Sequence, residues 1–253
     1  MSKIYTDNDW KGITPHIPPG YDNSKHNVVF DHHSHTNYSD GKLTIKQNVE
    51  WHIAMGFNAM AITDHNKMRQ FEKIEGIRQQ YTEKGVIILT GFEWTTTRLH
   101  LNFLGISKWD ERVPYKPKDD KIIDVINKVH DQDGIVVCNH IPWSIYEAKY
   151  KNHPSRESLL DWGIDYIEIV NDDSLPKNVF DQESYNFCMN HQGEIGMITG
   201  TDMHDPHLLA SGGVHGWTLL NIKESTEEAL MEELRKKKTE ILYSEISYLD
   251  PGI

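Results

Sequence analysis

Short apolar runs punctuate the chain at intervals that suit buried strands: NVVFDHH (27–33), AMAITD (59–64), VIILTGFE (86–93), LHLNFLGI (99–106), GIVVCNH (134–140), DYIEIVN (165–171), IGMITGTD (195–202) and GWTLLNI (216–222). Between most of them the apolar positions shift to helical spacing. Thr44 followed by Gln47 reads as the capping box of a helix that carries Ile45, Val49 and Ile53 on one face and stops at Gly56. Further helices are predicted near 67–84, 119–132, 177–191 and 224–238. Residues 1–27, rich in Pro, Gly, Asp and Asn, show no period and read as an irregular N-terminal arm. The βα rhythm over residues 28–253, without repeat, low-complexity segment or linker, predicts a single α/β domain built as a parallel barrel.

The length of 253 residues suits one such barrel, and 38% hydrophobic residues suffice for its core. No apolar run is long enough to span a bilayer, so no membrane partner is expected. The first residues, MSKIYTDNDWKG, lack the apolar segment of a secretory leader, and the two cysteines, Cys138 and Cys188, stand far apart. Both features point to a reducing, cytoplasmic setting. A net charge of −12 argues against sequence-independent binding of duplex DNA. An anionic substrate therefore needs local cations.

The candidate chemistry lies where these strands end. With 15 His in 253 residues, chance alone gives about 0.9 His-x-His pairs, so His33-x-His35 has no weight by itself. Its position does. His33 and His35 follow the first strand, Asp64 and His65 the second, Glu93 ends the third, His140 ends the VVCN strand, and Asp202 and His204 follow MITG. In parallel barrels the rim at the strand C-termini is where catalytic residues converge. In an extended segment side chains at i and i+2 share a side, so Asp31, His33 and His35 are expected to face together, with His32 and Ser34 facing away. Asp202-x-His204 repeats the spacing, and barrel closure is expected to bring the two pairs together. A mixed set of imidazoles and carboxylates without thiolates suits Zn²⁺, Mn²⁺ or Fe²⁺, and it is too large for one ion. Two or three divalent ions point to hydrolysis, most naturally of a phosphoester.

The motifs DHHSHTNYSDG, AITDHN, TGFEWT, LHLNFLGI, VVCNHIP and TGTDMHD, in this order, resemble those of the polymerase and histidinol phosphatase (PHP) superfamily of metal-dependent phosphoesterases. The resemblance implies a distorted (β/α)7 TIM-like barrel with a trinuclear site at its C-terminal rim. Carried onto this chain, it places one ion on His33, His35, Glu93 and Asp202, and a second on Glu93, His100 and His140. A third falls to Asp40, His65 and His204. It further implies attack by a metal-bridged hydroxide, with Glu93 as the bridging carboxylate. His140 is followed by Ile141-Pro142 where many relatives have His-Pro. Some relatives cleave nucleotides or short oligonucleotides, and a subset cleaves carbamate or carboxyl esters.

His100, inside an apolar run, would without that comparison read as a satisfied core histidine. Asp31 and Asp64 read as partners that orient ligating imidazoles. Arg98 is a candidate phosphate ligand, and His207 and His215, flanking LLASGGVHG, are candidate general acids. Lys67 and Arg69 read either as rim groups or as an ordinary charged helical turn; Asn171 is placed to touch substrate, Glu168 to support the site from behind, and Trp94 and Trp143 to stack on a base. The expected partner is a small anionic phosphoester, with nucleotides among the candidates. The alternatives are an ester hydrolase on the same metals and a non-catalytic metal-dependent anion-binding module.

Overall fold

The computed structural model describes residues 4–173, 179–209 and 213–248. Nine strands form one sheet in the order β7-β6-β5-β4-β3-β2-β1-β8-β9. They are β1 (Val28–Asp31), β2 (Ala59–Ile62), β3 (Ile87–Thr95), β4 (His100–Leu104), β5 (Ile135–Cys138), β6 (Tyr166–Asn171), β7 (Gly196–Gly200), β8 (Val214–Leu220) and β9 (Glu240–Tyr248). Among the described residues six α-helices accompany them, α1 (Ile45–Ala54), α2 (Phe71–Thr82), α3 (Asp119–His130), α4 (Arg156–Asp161), α5 (Gln182–Asn190) and α6 (Glu227–Leu234), with a π-helical turn at Trp143–Glu147. The sheet curls into a nearly closed barrel. β7 meets β8 through side chains, with Thr199 N donating to Thr218 Oγ1 at 2.9 Å and the two hydroxyls 3.0 Å apart.

The all-parallel expectation needs correction. β4 runs antiparallel to both β3 and β5, and β8 antiparallel to both β1 and β9. Only a few residues join β3 to β4, whereas a parallel crossover needs about a dozen or more. The α/β class holds, but as a mixed nine-stranded sheet in place of seven repeated βα units.

Three apolar clusters explain the layering. Inside the barrel, Phe30, Ala61, Leu89, Val137 and Ile198 pack together, and α6 adds Leu230, Met231 and Leu234 at the end opposite the parallel strands' C-termini. Outside, α1 and α2 pack Val49, Trp51 and Ile74 against Val29, Met60 and Ile88, while α3 packs Ile122, Ile126 and Val129 beside Phe103, Val136 and Ile167. Fully burying such side chains contributes about 1.5–3 kcal/mol each. The predicted capping box is present: Gln47 N donates to Thr44 Oγ1 at 3.3 Å and Thr44 N to Gln47 Oε1 at 3.0 Å. Within residues 4–27 there is no helix or strand, yet Trp10 is buried among the α1-side residues. Of the helix predicted over 177–191, residues 177 and 178 lie outside the described residues, as do 210–212 of the Gly-rich loop. No helix among the described residues is long and apolar enough to cross a membrane, and both cysteines are buried thiols.

Candidate metal centre

The segment after β1 and the segment after β7 lie side by side. Asp202 N donates to His33 O at 2.9 Å and His35 N to Met203 O at 3.0 Å, with a parallel bridge between Ser34 and Met203. Backbone pairing thus brings His33 Nε2 and His35 Nε2 to 3.1 and 3.0 Å from the same oxygen, Asp202 Oδ1. Asp31, on the far side of this junction, accepts from Thr201 N at 3.1 Å, Thr201 Oγ1 at 2.5 Å, His33 N at 3.0 Å and His52 Nε2 at 2.9 Å. It fixes the backbone that carries the histidines, and the imidazole it meets, His52 on α1, is not one of the proposed ligands.

Glu93, near the end of β3, sits at the centre. Its Oε1 lies 2.9 Å from His100 Nδ1, 3.3 Å from His140 Nε2 and 3.6 Å from His33 Nε2, while Oε2 lies 2.8 Å from His65 Nδ1 and 3.6 Å from His35 Nε2. Asp40 completes an outer group, 3.3 Å from His65 Nε2 and 3.4 Å from His204 Nε2. The nine proposed ligands are therefore gathered at one mouth of the barrel, and all but His33 and His35 line a cavity of about 250 Å³ together with Trp143, Asn171 and Asp173. Among the described residues the donor atoms form five overlapping sets suited to a cation: His33, His35 and Glu93; Glu93, His100 and His140; His33, His140 and Asp202; His35, Asp40, His65 and His204; and, behind the site, His32, His33 and Glu168.

The donor set fits divalent ions. His33 Nε2, both ring nitrogens of His35 and Asp202 Oδ1 are buried without a hydrogen bond of acceptable geometry. Buried polar atoms normally find partners, so these atoms are arranged for something other than each other. Two of the proposed ligands adopt left-handed backbone, Asp202 at φ 52° and His140 at φ 27°, a conformation costing of order 1–3 kcal/mol that persists where the surroundings enforce it. Glu168 enforces part of it: its Oε2 accepts from His140 N at 2.7 Å and from Asn171 Nδ2 at 2.9 Å. Its Oε1 accepts from His32 Nε2 and His33 Nδ1, each at 3.0 Å, which aims His33 Nε2 into the site. A Cβ on Gly200 would come within 2.1 Å of this oxygen.

Charge follows the same geometry. Burial raises the cost of ionising Glu93, but His100, His65 and His33 outweigh it and hold its carboxyl well below the usual range. Burial likewise opposes the charge on Asp202, yet His33, His35 and His204 keep it ionised far into acid. Burial lowers His65 and His204, but Glu93 and Asp40 lift the first to about 10, and Asp173 and Asp40, helped by Asp202, lift the second to about 11. His35, desolvated and beside His204, falls to about 4. A field that holds protons on these rings also attracts cations, which displace them.

The remaining candidates are distributed differently. Asp64 is buried below the loop that carries Asp40, accepting from Thr36 N at 2.8 Å, Thr36 Oγ1 at 2.7 Å and Ser39 Oγ at 2.6 Å. Its side chain neither lines the cavity nor meets an imidazole, so the orienting role expected of it is not seen. Arg98 is drawn away as well: it pairs with Asp119, donates from Nε to Asn152 O at 3.0 Å and lies over the Trp162 ring. His215, on β8, donates from its backbone N to Asp172 Oδ1 at 3.0 Å, and its ring Nδ1 lies 3.2 Å from the same oxygen. Neither residue borders the cavity. His207 stacks on Tyr5, and Trp94 is core, its Nε1 donating to Pro114 O. The i, i+2 reading holds for His33 and His35 but not for His32 and Asp31, because β1 ends at Asp31. His32 joins His33 on Glu168 instead. Sequence reasoning missed Asn139, whose Nδ2 donates to Glu93 Oε1 at 3.1 Å, Tyr150, whose hydroxyl is 3.2 Å from His100 Nε2, and Asp173, 3.1 Å from His204 Nδ1. Asn139 directly precedes a predicted ligand, a signal that was available; Tyr150 lies in no motif.

A mixed barrel with a histidine–carboxylate cluster at its mouth defines the class of protein. Residues 31–198 match the model of the PHP domain, more than half of the chain, and the chain belongs to that family. Among solved structures it is similar to a two-domain protein from Bacteroides vulgatus containing a predicted PHP-like metal-dependent phosphoesterase, at 20% identity and TM-score 0.67, over 92% of this chain and 68% of that one. It also resembles a protein from Bifidobacterium adolescentis proposed to be a metal-dependent phosphoesterase (16% identity, TM-score 0.57, 87% and 98% of the two chains). A third is an amidohydrolase from Chromobacterium violaceum with bound sulfate and no metal (12%, TM-score 0.50, 85% and 97%). At these identities the likeness establishes a shared fold. No curated protein matches the chain.

Proposed function

We propose that the protein is a metal-dependent phosphoesterase acting on a small anionic substrate, with nucleotides among the candidates. The observation that carries this reading is the Glu93 carboxylate, which turns one oxygen to His33, His100 and His140 and the other to His35 and His65. In this reading His33, His35, Glu93 and Asp202 hold one divalent ion, Glu93, His100 and His140 a second, and Asp40, His65 and His204 a third. Zn²⁺, Mn²⁺ and Fe²⁺ suit these donors. When bound, such ions lower the pKa of water and neutralise charge on phosphoryl oxygens.

The protein's own groups do the rest. Glu168 fixes the ring of His33 and the backbone of His140, so the donors need no rearrangement as charge develops. The cavity, about 250 Å³, is smaller than the roughly 300–1,000 Å³ of whole-ligand pockets. It therefore takes the reacting group and leaves the body of the substrate at the rim, where Trp143 offers an aromatic face.

Purified protein loaded with Mn²⁺ or Zn²⁺ is to be assayed on an aryl phosphate, an aryl phosphodiester and an aryl acetate. Turnover of a phosphoester that disappears in Glu93→Ala is expected. Cleavage of the acetate alone would transfer the site to carboxyl ester chemistry, and silence on all three with bound metal would leave an anion-binding module.

A further inference from the structure

Two of the three proposed outer ligands, Asp40 and His204, stand on loops, and a segment remote from both in sequence ties those loops together. On the inner side the backbone already joins them, with Lys42 N donating to His204 O at 2.7 Å and His35 N to Met203 O at 3.0 Å. On the outer side the N-terminal arm joins them again. The Tyr5 hydroxyl donates to Asp205 Oδ1, one residue past His204. The carbonyl of the same Tyr5 accepts from Gln47 Nε2 at 3.3 Å, in the first turn of α1, the helix that follows the Asp40 loop. Asp7 strengthens that end, accepting from Gln47 Nε2 at 3.3 Å and pairing with Lys46 at 3.4 Å.

The arm is held firmly enough to act as a clasp. The Tyr5 ring stacks on Trp10 and on His207, with centroids 5.5 Å apart in both pairs and interplanar angles of 24° and 16°. Trp10, 4% exposed, belongs to the apolar cluster that also holds Met203 and Leu209, on either side of the turn after His204. Asp205 organises that turn: its Oδ1 accepts from His207 N at 3.1 Å as well as from Tyr5, and Leu208 N donates to Asp205 O at 2.9 Å. His207, a candidate general acid by sequence, is part of the stack and lies outside the cavity lining. A hydroxyl bonded to a carboxylate is among the stronger hydrogen bonds. It meets part of the entropy cost of ordering an exposed loop before an ion arrives, so less of that cost falls on ion binding.

We infer that Tyr5 is a positioning residue for the outer divalent ion: through Asp205 it fixes the backbone of His204, and through Gln47 it holds that backbone against the Asp40 loop. The arm thereby sets the affinity of the outer half of the metal centre. Tyr5, Asp205 and His207 all lie outside residues 31–198, the part that matches the PHP domain, so the clasp is built from this chain's flanking segments. The inference rests on the metal-dependent reading above, and the test separates the two.

Mn²⁺ binding is followed by calorimetric titration in the wild-type protein, in Tyr5→Phe, which keeps the stacked ring and loses the hydroxyl, and in Tyr5→Ala, which loses both. Affinity for one ion is expected to fall about 5-fold in Tyr5→Phe and about 10-fold or more in Tyr5→Ala, with the other ions held within about 2-fold. The affected ion should be the one that His204→Ala abolishes, and Tyr5→Ala should have no further effect in that background. Unchanged affinity for that ion, or equal losses at every ion, would overturn the inference. Amide exchange in metal-free protein gives a second readout: His207 and Leu208 are expected to exchange about 10-fold faster in Tyr5→Ala, while the amides of α3 keep their rates. Unchanged exchange removes the clasp whatever metal is bound. Faster exchange in a protein whose wild-type form takes up no Mn²⁺ leaves the clasp as a structural contact and removes the metal-dependent reading, and the outer ion with it.

Discussion

The inner and outer halves of the metal centre are built by different means. The side chains of His33, His35 and Glu93 are at most 1% exposed and Asp202 12%, whereas Asp40 is 56% exposed, His65 24% and His204 26%. The inner half is fixed by backbone pairing between the segments after β1 and β7, by Asp31 behind them and by Glu168 below. The outer half depends on the loop that carries Asp40, which Asp64 organises and which needs Gly41, where a Cβ would lie 2.5 Å from His35 O. A site can thus combine a rigid, pre-formed half with an adjustable edge.

Breaking the inner half should cost most. Glu93→Ala removes the one carboxylate that faces both sides, and turnover of an aryl phosphate is expected to fall by more than about 100-fold, with loss of bound metal seen by elemental analysis. Glu168→Gln keeps the size of the side chain but not its charge. Its metal affinity, measured by titration, should weaken by about 10- to 100-fold while the far-UV spectrum is retained. Asp40→Ala reaches only the outer half: metal content should drop but not vanish, with turnover down by about 10-fold.

A pH series sharpens the contrast. In metal-free protein, burial disfavours the charge on His65 and His204, but carboxylates hold them near 10 and 11, above the ordinary 6.5. Their paired, protonated rings stabilise the fold fully below pH 6.5, and that contribution is lost as pH rises through about 10 to 11. Glu168, which burial pushes up but His33 and His32 pull down to about 2, stabilises above pH 4.5 and ceases to do so as pH falls through about 2. Melting of the metal-free protein should therefore weaken at both extremes. Because an ion must displace protons, the rise in Tm on adding Zn²⁺ should grow from pH 6 to 8. The smallest effect is expected from Tyr150→Phe, which removes one contact to His100 and should change turnover by no more than about 3-fold.

Much of this was legible in the sequence. Apolar runs located β1 to β8 because burial on both faces demands them, and the strand ends located the histidines and carboxylates of the site. Strand direction was not carried by the runs. The short gap between TGFE and LHLNFLGI was the available sign that β4 turns back. β9, EILYSEISY, was missed because its mixed polar pattern lacks a continuous apolar run. Glu168 stood out as a carboxylate inside DYIEIVN, but its partners His32 and His33 lie 136 and 135 positions away. Spacing along the chain does not show that Arg98 meets Asp119 and Asn152.

That Glu93 joins two halves of one metal cluster is decided by anomalous diffraction from crystals grown with Zn²⁺. At least two peaks are expected, one on each side of the Glu93 carboxylate and each about 2.0–2.2 Å from one of its oxygens. Peaks remote from Glu93, or none in protein that otherwise diffracts well, would contradict it.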